Sequence, residues 1–272
     1  MGRGSAHEPR LATLWHRPDD AVAGVRLALV GKAVTFDSGG YFLKPSASII
    51  TQKTDMAGGA AALAALGAIA ELGIPVETLA VIPAAENVLS GSAFRPGDVV
   101  TTLAGNRVEI TNPDAEGRLL LADALTHARS LGATHIVDLA TLTGAIVQAL
   151  GDLFAGVFAG DDDWRSLLVA AGEATGDRLW PMPLDPRYRK VVESDLADLK
   201  NSPGTGRALP IFAAYFLQEF AGDGPWAHID IAGTARLDAA RDYYRSGPSG
   251  FGVRLLVETA TRLGASRPRA TA

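Results

Sequence analysis

The chain has 272 residues, 47% of them apolar and 20% charged, which suits a globular protein with a substantial core. Its formal net charge of −5 argues against a nucleic-acid partner, whose binders carry a basic surface. It has no cysteine, so disulfides and thiolate ligands are excluded, any bound metal must take oxygen or nitrogen donors, and a reducing cytoplasm is the expected compartment.

Residues 1–24 are polar, with a strand expected at Leu11–Trp15 and a turn at Arg17–Asp20. No leader-like apolar segment follows Met1. Val25–Val30 is continuously apolar, the pattern of a strand covered on both faces. Residues 31–48 then read as a loop rich in glycine and charge, and Ala60–Leu72 as a helix closed by Gly73 and Pro75. The apolar run Ala57–Ala70 is shorter than the ~20 residues of a membrane span, so no membrane partner is expected. A buried strand at Val76–Ile82 precedes a loop at Glu86–Gly97 and a hairpin, Val99–Leu103 with Val108–Ile110, around Gly105 and Asn106. Downstream, helices are expected at Gly117–Ser130, Gly144–Leu150, Trp164–Thr175, Pro210–Phe220 and Gly250–Arg262. Strands are expected at Thr134–Asp138, Phe154–Phe158 and Ala227–Ile231, and Asp185–Asn201 reads as helix then loop. Strands alternating with helices imply an α/β fold with a mixed, largely parallel sheet and helices on both faces, a three-layer sandwich. No repeat, linker or low-complexity tract divides the chain, so one domain over 1–272 is expected.

The densest chemistry lies in Asn112-Pro113-Asp114-Ala115-Glu116-Gly117-Arg118-Leu119. Asp114 and Glu116 are two apart, so in extended backbone both carboxylates face one side, and a divalent cation between them would relieve their repulsion. Arg118 falls on the same side and suits an anion or a developing oxyanion. The plainer alternative is acidic residues placed at a helix start for the dipole. Lys32, Asp37 and Lys44 lie in the first long loop, and Asp55 precedes the first helix, where solvated lysines, a turn-forming aspartate and an N-cap are the ordinary readings. In α/β sheets, ligands bind beyond the carboxyl ends of strands. The segments carrying Lys32 and Asp37, the Asp114–Arg118 segment after Val108–Ile110, and the segment after Asp138 are therefore expected to meet at one sheet edge. The five histidines include no His-Glu-x-x-His, and there is neither a Gly-x-Ser-x-Gly elbow nor a P-loop. His228 reads as structural.

Taken together, Gly31-Lys32, Asp37, Gly39-Gly40, Lys44, Asp55-Met56-Ala57-Gly58-Gly59 and the 112–119 stretch resemble, in order and spacing, the catalytic core of the leucyl (cytosol) aminopeptidase family. The likeness runs from about Leu27 to Ala260. It implies a dimetal aminopeptidase that releases the N-terminal residue of peptides, with zinc or manganese as cofactor. It implies that Asp37 and Glu116 bridge two divalent metal ions, that Asp114 completes one metal site and that Lys32 and Asp55 complete the other. Lys44 matches the lysine that polarises the peptide carbonyl. Arg118 matches the arginine that holds bicarbonate, the general base toward the attacking water. Thr141, Leu142 and Gly144 match the substrate-lining loop. The family also implies a cytoplasmic homo-oligomer, a hexamer, with peptide substrates.

The chain departs from the family pattern in places. Pro113 replaces a threonine, Gln52 stands where a methionine lines the pocket for the first side chain, and residues 201–208 differ from the family's glycine-rich loop. The family's separate amino-terminal domain is not in this sequence. Two other classes stay open on sequence alone: a catalytically silent relative kept for binding, and a DNA-associated protein.

Overall fold

A computed structural model describes residues 1–204 and 206–265; Thr205, in the divergent loop, and residues 266–272, at the end of the expected domain, lie outside the described residues. In chain order the elements are β1 (Arg10–His16), β2 (Arg26–Gly31), β3 (Ala33–Asp37), α1 (Ser46–Ile49), α2 (Ala57–Glu71), β4 (Glu77–Asn87), β5 (Val99–Thr101) and β6 (Arg107–Glu109). They continue with α3 (Gly117–Ser130), β7 (His135–Ala140), α4 (Gly144–Leu150), β8 (Ala155–Ala159), α5 (Asp162–Thr175), β9 (Leu179–Pro181), β10 (Leu199–Lys200) and α6 (Leu209–Gln218). The last are β11 (Trp226–Asp230), β12 (Arg236–Leu237), β13 (Gly247–Pro248) and α7 (Val253–Ala265). None of the described helices is long and apolar enough to cross a membrane.

An eight-stranded sheet runs β1-β4-β2-β7-β11-β8-β9, with β3 also paired to β4. Its centre, β4-β2-β7-β11, is parallel, while β1 and β8 join antiparallel. This is the expected mixed, largely parallel sheet. Leu27, Ala28, Leu29 and Val30 of β2 are wholly buried, as a strand covered on both faces requires. Their side chains alternate between two cores. Ala28 and Val30 join Leu121 and Leu125 of α3 and Phe212 and Phe216 of α6. Leu27 and Leu29 join Ala65 and Ile69 of α2, Leu168 of α5 and Leu255 of α7. That period of two gives the three layers. Each fully buried leucine or phenylalanine contributes about 1.5–3 kcal/mol.

Four differences from the sequence expectation have physical causes. Residues 33–37, read as loop, form β3; it pairs with β4 alone and slips register between Val34 and Phe36, so it lacks the apolar run of a central strand. β4 continues past Ile82 to Asn87 because β1 pairs with it up to Ala84 and β3 from Ala84 onward. Helix α2 begins at Ala57, three residues early. There Gly58 lets it close on the sheet, since a Cβ at Gly58 would stand 2.1 Å from the Leu139 carbonyl oxygen. Finally, β6 belongs to a separate three-stranded sheet, β10-β6-β5, so the Asp114 segment leaves this small sheet and not the main one. Within the 185–201 segment, the helical part is a short 3-10 turn at Pro186–Val192, and Leu199–Lys200 pairs with β6.

Candidate metal and substrate site

Lys32 sits between β2 and β3, where its backbone N–H donates to the Leu139 carbonyl at 3.0 Å and its carbonyl accepts from Gly59 N at 2.8 Å. Both neighbouring elements thus aim its side chain across the end of β7. Its ammonium lies 2.9 Å from Asp55 Oδ2 and 2.9 Å from Glu116 Oε1, and donates to the Thr141 carbonyl at 3.0 Å. Asp55 follows the 3-10 turn Gln52–Thr54 and does not cap α2, whose N-cap is Met56 with no side-chain bond. Instead its Oδ1 accepts from Thr141 Oγ1 at 2.7 Å. Glu116 occupies the N-cap position of α3 without capping it, and the first turn of that helix holds no acidic residue. The helix-dipole reading therefore fails for this segment.

Asp37 ends β3. Its Oδ1 accepts from Gly39 N at 2.9 Å and from Asn87 Nδ2 at 2.8 Å, and its Oδ2 lies 2.9 Å from Lys44 Nζ. Lys44 also lies 2.5 Å from Asp114 Oδ1. Asp37, Asp55 and Glu116 are all buried, and one oxygen from each lies within 4.8 Å of the others.

The electrostatics are those of a crowded acidic floor. Burial would lower the Lys32 ammonium, but Asp55, then Glu116 and Asp37, hold its pKa well above the usual lysine range. Burial opposes the Lys44 ammonium too, and Asp37 and Asp114 overcome it in the same direction. Burial pushes Asp55 up to about 8 against the pull of Lys32, with Glu116 and Asp37 adding repulsion. Burial likewise pushes Asp114 up to about 6 against Lys44. Among the described residues, Glu116 Oε2 has no hydrogen-bond donor, and Asp55 Oδ2 and Asp114 Oδ1 meet lysines without hydrogen-bond geometry. The unpartnered Glu116 Oε2, with buried Asp37, Asp55 and Glu116 converging within 4.8 Å, is the kind of donor set that divalent cations take, so the residues present fit such ions.

Arg118 is buried, with its Nε and Nη1 lacking a hydrogen-bond acceptor among the described residues. Its guanidinium faces the Phe212 ring at 5.3 Å. Burial lowers its pKa to about 10, with Glu116 and Asp230 opposing. A guanidinium so placed remains cationic at neutral pH and suits a small anion.

A cavity of about 800 Å³ opens above this floor. Lys32, Asp37, Lys44, Asp55, Asp114, Glu116 and Arg118 all line it. So do Gln52, Thr141, Leu142 and Gly144, which brings together every residue singled out in the sequence for metal, catalysis or substrate. Gln52 donates to the Ser48 carbonyl at 3.1 Å, which leaves its side-chain oxygen without a described donor. Asp138 does not join them. It lies inside β7, wholly buried, bonded to His228 Nδ1 at 2.6 Å and Trp226 Nε1 at 2.8 Å. The strand runs two residues further than expected, so the cavity is reached only at Thr141. His228 stacks on Phe158 inside the core, in keeping with its structural reading.

Sequence reasoning missed the groups that hold this floor in place. Asn87 donates to both Asp37 and the Pro113 carbonyl, at 2.8 and 3.1 Å. Asp230 accepts from Leu142 N at 3.1 Å and from Thr143 Oγ1 at 2.6 Å, so it fixes the lining loop. These act through backbone partners distant in sequence, and no local spacing announces them.

The catalytic-domain model of the cytosol aminopeptidase family matches residues 1–257. A probable cytosol aminopeptidase of Solibacter usitatus is 49% identical over 257 residues, covering 94% of this chain and 53% of that protein. One of Roseiflexus castenholzii is 49% identical over 259 residues, covering 95% and 53%. One of Acidobacterium capsulatum is 48% identical over 257 residues, covering 94% and 50%. The chain spans about half the length of these curated relatives.

Proposed function

Because the chain belongs to the cytosol aminopeptidase family, we propose that it removes the N-terminal residue from peptides with the help of two divalent cations, zinc or manganese. The observation that carries this reading is the convergence of Asp37, Asp55 and Glu116, all buried and within 4.8 Å, on the floor of a peptide-sized cavity. Asp37, Glu116, Asp114, Lys32 and Asp55 would hold the two ions. Ions held there would lower the pKa of water toward neutrality and polarise the scissile carbonyl.

The chain's own residues do the rest. Lys32 must give up its proton to serve as a ligand, which nearby dications favour. Lys44 donates to the carbonyl oxygen as negative charge develops there, a role suited to an ammonium at the cavity wall. Arg118 would hold a small anion such as bicarbonate, which would supply a general base. Thr141, Leu142 and Gly144 orient the substrate backbone, and Gln52 meets the first side chain, which shifts preference away from plain leucine. The acidic floor with its ions selects a free α-amino group, which no internal peptide bond can offer. The relatives' name, probable cytosol aminopeptidase, supports a cytoplasmic enzyme, and the family resemblance supports a homo-oligomer, a hexamer.

The test is hydrolysis of an aminoacyl p-nitroanilide by protein loaded with Mn²⁺ or Zn²⁺. Wild-type turnover is expected to vanish in Glu116→Gln and in Asp37→Asn while the circular dichroism spectra stay unchanged. Undiminished turnover by either variant, or equal hydrolysis of the N-acetylated substrate, overturns the reading.

A further inference from the structure

Residues 111–116 carry two of the acidic groups of the site, yet they belong to no strand or helix until Glu116 at the head of α3. A segment of this kind must satisfy its backbone groups by some other route. Most of that route is one side chain. Asn201 Oδ1 accepts from Thr111 N at 2.9 Å, from Asn112 N at 3.1 Å and from Thr111 Oγ1 at 3.2 Å. Its Nδ2 donates to the Asn112 carbonyl at 2.7 Å and the Ala115 carbonyl at 3.2 Å. Asn201 is wholly buried. Of the other groups, Pro113 has no N–H, Asp114 N donates to Asn112 Oδ1 at 2.8 Å, Ala115 N donates to the Asn112 carbonyl at 3.1 Å, and the Pro113 carbonyl accepts from Asn87 Nδ2 at 3.1 Å.

We propose that Asn201 is a positioning residue for metal binding: its side-chain amide folds the 111–116 segment into the shape that presents Asp114 and Glu116 to the ions. The inference rests on the dimetal reading above. It has a chemical requirement that narrows the choice of residue. Both acceptor and donor edges are used, so aspartate would set an oxygen against two carbonyls, and leucine would leave the Thr111 and Asn112 amides and the Ala115 carbonyl without this partner. Asn201 arrives from the segment that follows β10, and β10 pairs with β6, so the small sheet fixes the distance between Asn201 and the segment it holds.

The experiment is isothermal titration of Mn²⁺ into metal-stripped wild type, Asn201→Ala and Asn201→Asp, with Leu255→Ala as a control. Leu255 lies in the opposite core layer, on α7, and its truncation lowers stability without touching the segment. Both Asn201 variants are expected to bind Mn²⁺ at least tenfold more weakly, and the control within twofold of wild type. Wild-type affinity in an Asn201 variant overturns the proposal, as does an equal loss in the control, which would reduce Asn201 to a stability residue. A second measurement needs no variant. Hydrogen exchange of metal-stripped wild type is expected to show Thr111 and Asn112 amides protected, and free exchange at both overturns the proposal. Failure of the wild type to bind Mn²⁺ would instead sink the dimetal reading.

Discussion

Gly117→Ala isolates the site from the fold. Gly117 opens α3 beside the Lys32 side chain, and a Cβ there would stand 2.6 Å from both Lys32 Cε and Nζ. Ordinary contact begins near 3.4 Å, so the lysine must retreat by about 0.8 Å. A free lysine would swing aside at little cost. Lys32 is 2% exposed, and its ammonium is held by Asp55, Glu116 and the Thr141 carbonyl, all within 3.0 Å. Retreat therefore breaks at least one charge-assisted hydrogen bond, about 1.5–3 kcal/mol, while alanine returns roughly 0.5–1 kcal/mol through helix propensity. The variant should unfold in urea within about 2 kcal/mol of wild type. Its Mn²⁺ affinity should fall roughly 30-fold, since about 2 kcal/mol of ligand misplacement corresponds to that factor. Titration calorimetry beside a urea melt measures both. Unchanged affinity would refute the claim that the Lys32 amine belongs to a metal site, because the clash leaves the amine no room where it now stands.

Two further perturbations, one inside the site and one at the start of α7, have expected outcomes. Without ions, the charges of Asp55 and Glu116 hold the Lys32 pKa well above the usual lysine range, so its amine carries a proton at pH 7. Cation binding should release a proton and weaken as pH falls; titrations in buffers of different ionisation enthalpy check this, and a buffer-independent heat contradicts it. Asp177→Ala should cost about 2–3 kcal/mol in a urea melt with catalysis intact. Buried Asp177 accepts from Gly252 N at 3.1 Å and Leu255 N at 3.3 Å at the start of α7, and pairs with half-exposed Arg254, which adds little. A melt unchanged from wild type would show that α7 does not depend on this cap.

How much of this was legible in the sequence depended on range. The central strands were plain, because a strand buried on both faces must be apolar throughout, as Leu27–Val30 is. The edge strand β3 was not, because Thr35 is exposed, Phe36 is only partly covered and its register slips. The short β9 failed for a similar reason: Trp180 and Pro181 are exposed, so no apolar pattern marks them. The acidic and lysyl side chains of the site could be named in advance because their chemistry is carried by residue type and by the order of the motifs. Asn87, Asn201 and Asp230 could not. Each acts by hydrogen bonding to backbone 26 to 90 positions away, a relation that exists only once the chain has folded. The same holds for the bonds that draw Asp55 and Glu116 away from capping duty, since an acid before a helix is ordinarily there for the helix.

The central claim is that this acidic floor holds a pair of cations, and anomalous diffraction from a zinc-soaked crystal tests it most directly. Two peaks about 3.5–4 Å apart are expected between Asp37, Asp55, Asp114 and Glu116, with carboxylate oxygens at roughly 2.0–2.2 Å from each. A fully soaked crystal with no peak inside the cavity, or with zinc bound only at the outer surface, would contradict the account.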